Sequence, residues 1–224
     1  VIAGIRKLGF SEIVEAALGA DMVAYDESKE LEEKGFMTSS CCPAFVDYIH
    51  KQFPNLVECV SDNLSPAAKI SQYIKEKEPD SKIIFIGPCT AKKAEYKKEE
   101  LRDIIDSVIT FEELQALFDS REIDITQLEE EDLSGASYFG RIFARSGGLS
   151  DAISQAVKEH GFTDMTFKPV TCNGIEECKV ALLKASRNRK LLGGNFIEGM
   201  ACNGGCIGGA GCLTHGAKSK TDVD

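Results

Sequence analysis

Nine cysteines hold most of the reactive potential of this 224-residue chain, at positions 41, 42, 59, 89, 172, 178, 202, 206 and 212. Three of them, Cys202, Cys206 and Cys212, fall in the stretch from Glu198 to Cys212, which also holds six glycines. Glycine at that density lets backbone pass close to a bulky group or adopt positive φ at little steric cost. Thiols among such glycines point to an inorganic cluster wrapped by backbone. A zinc site is the plainer alternative. Zinc sites are built on Cys-x2–4-Cys pairs, and only Cys202 and Cys206 form such a pair here. The odd cysteine count fits a disulfide framework poorly. In a reducing compartment, cysteines at this density bind metal or do redox chemistry.

Two further cysteine loops stand beside that stretch. One is Thr38-Ser39-Ser40-Cys41-Cys42-Pro43-Ala44-Phe45, and the other is Gly87-Pro88-Cys89-Thr90-Ala91-Lys92-Lys93-Ala94-Glu95. The elements around them must position these thiols. A helical period runs from Val1 to about Leu8, and Ser11 is placed to cap a short helix through Ala17. Met22–Tyr25 reads as a short strand, and Asp26–Lys34 as a charged helix stopped by Gly35. Pro43 suits the first turn of a helix through Phe53, and Ser65-Pro66 opens another to about Lys77 by the same logic. Lys82–Ile86 reads as a buried strand running into the Cys89 loop, and Asp106–Ile109 as another. Thr110 and Glu113 form a capping box that opens a helix through Phe118. The acidic stretch 120–132 reads as a surface loop. Helices are expected over 149–160 and 176–185, with strands over 165–171 and 195–198.

Strands alternating with helices place the chain in the α/β class. In such folds, loops at the carboxyl ends of strands gather at one site, so Cys89 and Cys202 are expected to face each other. Cys41 and Cys42 precede a helix N-terminus, which favours an anionic centre.

Bulk properties narrow the function further. The net charge of −10 argues against general nucleic-acid binding, which needs clustered Lys and Arg. No apolar run is long enough to span a membrane, and no signal-peptide pattern is present. A cytoplasmic location is the expectation. The helical period already under way at Val1, with no cap before it, suggests that the sequence enters a helix part-way.

The three loops together resemble the signature loops of the [FeFe]-hydrogenase catalytic domain: T-S-C-C-P-x-W, M-P-C-x-x-K-x-x-E and E-x-M-A-C-x-x-G-C-x-x-G-G-G. Order and cysteine spacing agree, and the resemblance runs over nearly the whole chain, 1–224. It implies two lobes of mixed β-sheet flanked by helices, with the cluster site between them. It also implies an H-cluster: a [4Fe-4S] cubane joined through a cysteine sulfur to a diiron subsite bearing CO, cyanide and an azadithiolate bridge. By position, Cys42, Cys89, Cys202 and Cys206 would be the cubane ligands, with Cys206 as the bridging thiolate. Cys41 would pass protons to the bridge amine. Lys92 would pair with a cyanide ligand, and Met200 would pack near the diiron subsite. Glu27, Ser61 and Glu30 would continue the proton path outward. Ser146-Gly147-Gly148 resembles a further family loop near the cluster.

The implied function is reversible conversion of two protons and two electrons to H2, with ferredoxin or another low-potential carrier as electron partner and maturases supplying the diiron unit. A basic patch at Lys92–Lys98 or Arg187–Lys190 would receive the carrier. The chain departs from the family pattern at Gly87, where the motif has methionine, and at Phe45, where it has tryptophan. Ser39-Ser40 loosens the register of the first loop, and Gly-Gly-Ala-Gly-Cys212 replaces the glycine ending. The family's N-terminal segment and ferredoxin-like accessory clusters have no counterpart in the sequence. Two other functions compete. One is a non-catalytic relative, an H2 sensor or iron–sulfur assembly protein, and these relatives tend to lose the relay cysteine. The other is a plain Fe–S electron carrier, which needs no relay.

Overall fold

The computed structural model describes residues 1–162, 166–215 and 223. In chain order the elements are α1 (Ile2–Lys7), α2 (Ala16–Lys34), β1 (Met37–Thr38), α3 (Pro43–Gln52), α4 (Pro66–Lys77), β2 (Ile84–Ile86) and α5 (Lys92–Glu95). They continue with β3 (Ser107–Ile109), α6 (Phe111–Ser120), α7 (Tyr138–Ile142), α8 (Gly148–His160), β4 (Pro169–Asn173), α9 (Ile175–Arg187) and β5 (Phe196–Met200).

The strands form two sheets, β1-β5-β4 and β2-β3. Every pairing between these strands is parallel, so helices must carry the chain back between them. The expected α/β class with two helix-flanked sheets is therefore present. β5 is the central strand of the larger sheet and is buried along its whole length, as a strand covered on both faces must be. Phe36, Phe45, Ile49, Leu182 and Ile197 form the apolar core on one side of it. Val23, Leu31, Leu149, Ile153 and Phe196 belong to the core on the other.

Local signals account for several element starts. Ser65 caps α4 by accepting from the Ala68 amide at 3.4 Å, with Pro66 in the first turn. Both halves of the Thr110/Glu113 capping box are formed at α6. Two expectations differ. Met22–Tyr25 is not a strand but the middle of α2, one helix from Ala16 to Lys34. Its buried residues Ala20, Val23, Ala24, Glu27 and Leu31 follow the helical period; four apolar residues in a row satisfied either pattern when read alone. Ser11 consequently caps nothing, since the helix begins at Ala16. The second is β2, which is shorter than 82–86 and half-exposed, with Ile84 36% exposed, because it pairs on one side only. The strand expected from Met165 begins at Pro169, and Met165 itself lies outside the described residues.

Candidate functional site

Each cysteine loop leaves the carboxyl end of a strand. β1 delivers the first. The Ser39 amide donates to the Ile197 carbonyl at 2.9 Å, and the Ser39 hydroxyl accepts from the Gly199 amide at 3.1 Å. These bonds tie the Cys41/Cys42 turn to β5, and Pro43 then opens α3. Phe45 lies so close over Gly199 that a Cβ there would sit 2.3 Å from the ring; only glycine fits beneath it. β2 delivers Cys89. The glycine-rich ending closes onto this loop, with the Gly211 amide donating to the Pro88 carbonyl at 2.9 Å. β5 delivers Cys202 and Cys206. Gly204 and Gly205 take positive φ of 86° and 83°, which turns the chain so that the Cys206 amide donates to the Ala144 carbonyl at 2.7 Å.

The four expected ligand thiols come together electrostatically. Burial pushes the Cys206 thiol up to about 12, and repulsion from Cys42 and Cys89 adds to the rise. Cys202 is raised by burial and then by the same two cysteines. Cys89 is raised by burial, against the Lys92 amide and ammonium, which favour its thiolate. A set of thiols that cannot all ionise side by side is one that a bound cationic centre would stabilise. Among the described residues, no three His, Cys, Asp or Glu side chains are placed to hold a single metal ion. Four thiols from three loops, with Cys89, Cys202 and Cys206 each raised by burial and by neighbouring thiols, are the kind of donor set that an iron–sulfur cluster takes.

Cys41 is buried and shares an apolar cluster with Met200, Met37, Phe143 and the partly buried Cys206. Its thiol is pushed well up by burial and next by the charge of Glu27. Glu27 is fully buried on α2. Neither of its carboxyl oxygens has a regular hydrogen-bond partner, although the Ser61 hydroxyl and Ser40 amide are near enough to favour its charge. Desolvation outweighs both and raises its pKa to about 8. The Ser61 hydroxyl donates to Glu30 Oε2 at 2.7 Å. Glu30 also pairs with Lys34 at 2.6 Å, and Lys34 with the exposed Asp62 at 2.8 Å. The four relay residues expected from the sequence thus form a series from beside Cys206 to the surface. Glu27 is buried, whereas a charged helix such as α2 normally presents such a residue to solvent.

Lys92 is the inward-facing member of the lysine pair. Its ammonium pairs with Glu95 at 2.6 Å and donates to the Cys41 carbonyl at 3.3 Å. Lys93 instead pairs with Glu113 near the surface. The basic patch at 92–98 is reduced accordingly.

Three contributing residues were not assigned from the sequence. Glu95 and Lys34 were signalled by Lys/Glu spacings of three and four on helices. Glu198 was signalled as a carboxylate inside an apolar strand. It is fully buried, and burial raises its pKa against three donors. Its carboxylate accepts from the Gly147 amide at 2.7 Å and from the Ser150 amide and hydroxyl at 2.9 and 2.5 Å. Glu198 thereby clamps the start of α8 to β5. The 146–148 loop that it holds lies against the cluster loop, where the Ser146 amide donates to the Gly204 carbonyl at 3.0 Å. Cys212 is buried behind that loop, its thiol donating to the Ile207 carbonyl at 3.2 Å.

The class is thus a parallel α/β fold that gathers partly buried cysteines from three strand-end loops. Over residues 1–210 the chain matches the model of the iron only hydrogenase large subunit, C-terminal domain, and it belongs to that family. It is 31% identical over 270 residues to iron hydrogenase 1 of Clostridium pasteurianum, a match covering 100% of this chain and 47% of that protein. The chain thus spans about half the length of that curated relative. A shorter match, 34% over 93 residues, covers 42% of this chain and 20% of the cytosolic Fe-S cluster assembly factor NAR1 of Kluyveromyces lactis. The fold is that of an apo variant of the [FeFe]-hydrogenase HydA1 from Chlamydomonas reinhardtii, with a TM-score of 0.75 at 23% identity over 98% of this chain and 74% of that one. Membership of a hydrogenase family implies an iron–sulfur cofactor. No helix among the described residues is long and apolar enough to cross a membrane.

Proposed function

We propose that this chain is the H-cluster-bearing catalytic part of an [FeFe]-hydrogenase, acting in the cytoplasm with ferredoxin or a similar low-potential carrier and dependent on maturases. Cys42, Cys89, Cys202 and Cys206 would hold a [4Fe-4S] cubane, and Cys206 would also join it to a diiron subsite with CO, cyanide and azadithiolate. When bound, that group supplies the redox chemistry that interconverts H2 with protons and electrons.

The chain's own residues bind it, exclude water and move protons. Lys92, fixed by Glu95, offers a positive charge beside Cys41 for an anionic ligand. Met200 and the apolar cluster around Cys41 keep bulk water out. Cys41 Sγ holds the proton nearest the metal site. Glu27 takes it, with a carboxyl that can exist in both protonation states near neutral pH. Ser61 carries the proton to Glu30, and Glu30 releases it beside Lys34 and Asp62 at the surface.

The observation that carries this reading is Glu27, a fully buried carboxyl without a regular partner, set between a buried thiol and a hydroxyl–carboxylate pair. Neither an electron carrier nor an assembly factor needs such a series. The match to NAR1 favours the second reading, an iron–sulfur assembly protein. The two are separated by H2 turnover of the maturated protein. Cys41→Ala, compared at equal cluster loading, is expected to lower turnover by roughly 10²–10⁴-fold, the usual contribution of a positioned proton-transfer group. Unchanged turnover would remove Cys41 from the relay, and absence of turnover in the parent would favour the assembly reading.

A further inference from the structure

Asn63, half-buried in the bend after Ser61, has no task in the reading above, yet it is bonded to three parts of the relay. Its side-chain Nδ2 donates to Glu30 Oε2 at 2.8 Å and to Ser61 Oγ at 3.3 Å. Its backbone amide donates to Ser61 Oγ as well, at 3.2 Å. Its carbonyl accepts from the Ser40 hydroxyl at 2.7 Å, one residue before Cys41. The Asp62 amide beside it donates to the other carboxyl oxygen, Glu30 Oε1, at 2.9 Å. The bend 61–63 thus grips the Glu30 carboxylate from α2 on both of its oxygens.

These bonds decide where the Ser61 hydrogen points. A serine hydroxyl has one hydrogen and two lone pairs. Two Asn63 N–H groups approach the Ser61 oxygen, so its lone pairs face Asn63 and its hydrogen is left for Glu30, to which it donates at 2.7 Å. Glu30 Oε2 receives both the Ser61 hydroxyl and the Asn63 side chain. A carboxylate only accepts, so the end of Asn63 that faces it is the amide nitrogen. The two bonds to Ser61 are the long ones of the set, and a lone pair held that weakly can be released to an incoming proton.

We propose that Asn63 is a positioning residue of the proton relay, holding the Ser61 hydroxyl and the Glu30 carboxylate as a donor–acceptor pair aimed outward and tying that pair, through Ser40, to the Cys41 loop. When a proton leaves, Ser61 gives its hydrogen to Glu30 Oε2 and takes one from the Glu27 carboxyl. One O–H bond forms and one breaks at Ser61, and the hydroxyl is restored. Without the Asn63 side chain, Ser61 is free to turn its hydrogen to another acceptor, and Glu30 to follow Lys34 toward solvent. The proposal rests on the hydrogenase reading above, which gives this series protons to carry.

Asn63→Asp tests it, because it keeps the size of the side chain and replaces the Nδ2 donor with a carboxylate beside Glu30. In cluster-free protein the Asp62 amide reports whether Glu30 is still held, and relative to its intrinsic rate its hydrogen exchange is expected to be about tenfold faster in the variant. In the maturated full-length protein, compared at equal cluster loading, H2 turnover is expected to fall by roughly 10- to 100-fold. The ratio of rates in H2O and D2O should rise at the same time, since a slowed proton step comes to limit turnover; a merely steric role for Asn63 would move neither. Asn63→Ala is measured in the same way if the aspartate variant does not fold. Asp62 exchange equal to the parent's, or equal turnover in variant and parent, would overturn the proposal. A fully loaded parent with no H2 turnover would instead overturn the hydrogenase reading, and the relay role with it, so the two failures are told apart.

Discussion

Glu27 shows how a single residue can connect folding energetics to function. A carboxyl with no exposed surface and no regular partner is strongly disfavoured in its charged form. The native state therefore keeps its proton up to about pH 8, whereas the unfolded chain loses it in the ordinary carboxylate range. Between those values the native state binds more protons than the unfolded state, so stability must fall as pH rises. In cluster-free protein this decline should approach about 1.4 kcal/mol per pH unit between about pH 5 and 8. Glu27→Gln should flatten it, as measured by urea denaturation across that range. A variant that keeps the parent's slope would show that Glu27 is ionised in the fold. Lys92 presents the opposite case: a buried charge given a partner, Glu95, three residues along the same helix. The three cysteine loops were readable in the sequence, and the proposed ligand set follows from their resemblance to the family's motifs. The burial of Glu27 was not readable, because its neighbours Asp26, Lys29 and Glu30 make α2 look solvated.

At the scale of elements, the site depends on how three loops are anchored rather than on the loops alone. Glu198 is the strongest anchor. It satisfies three donors at the start of α8 from the centre of the larger sheet, and the backbone beside it holds the Cys206 turn. Each buried donor left without an acceptor costs about 1–3 kcal/mol. Glu198→Ala should therefore destabilise the cluster-free protein by about 3 kcal/mol or more, and should lower the iron retained after chemical reconstitution. A loss below about 1 kcal/mol would mean that water or local rearrangement replaces the carboxylate. The sequence announced elements where local chemistry decides them, as at Ser65-Pro66 and at the Thr110/Glu113 box. It was ambiguous where tertiary packing decides. Met22–Tyr25 joined α2 because Val23 and Ala24 find a helical partner face across α8. β2 came out short and half-exposed because a two-stranded sheet covers so little of it. Glu198 was invisible as an anchor, because its donors lie about fifty residues away in the chain.

At the scale of the molecule, two parallel sheets direct their strand ends toward one region, and the glycine-rich loop after β5 closes over it. The α/β class followed from the alternation of elements, and the grouping of Cys89 with Cys202 followed from the rule for strand carboxyl ends. How the first loop and the α8 start join them did not follow, since those contacts are long-range. On the proposed hydrogenase reading, an acidic chain of net charge −10 would meet an electron carrier at a local patch rather than through its overall field. On that reading, with Lys92 buried and Lys93 paired, the run Arg187–Lys190 would be the better of the two stretches, although its Arg189 is engaged with Cys59 and the Phe36 ring. The central claim, an H-cluster held by Cys42, Cys89, Cys202 and Cys206, is tested most directly by infrared spectroscopy of the full-length protein after maturation. The account predicts absorption bands from metal-bound CO and cyanide, lost when Cys206 is replaced by alanine. A maturated protein that contains iron and sulfide but shows no such bands would contradict it.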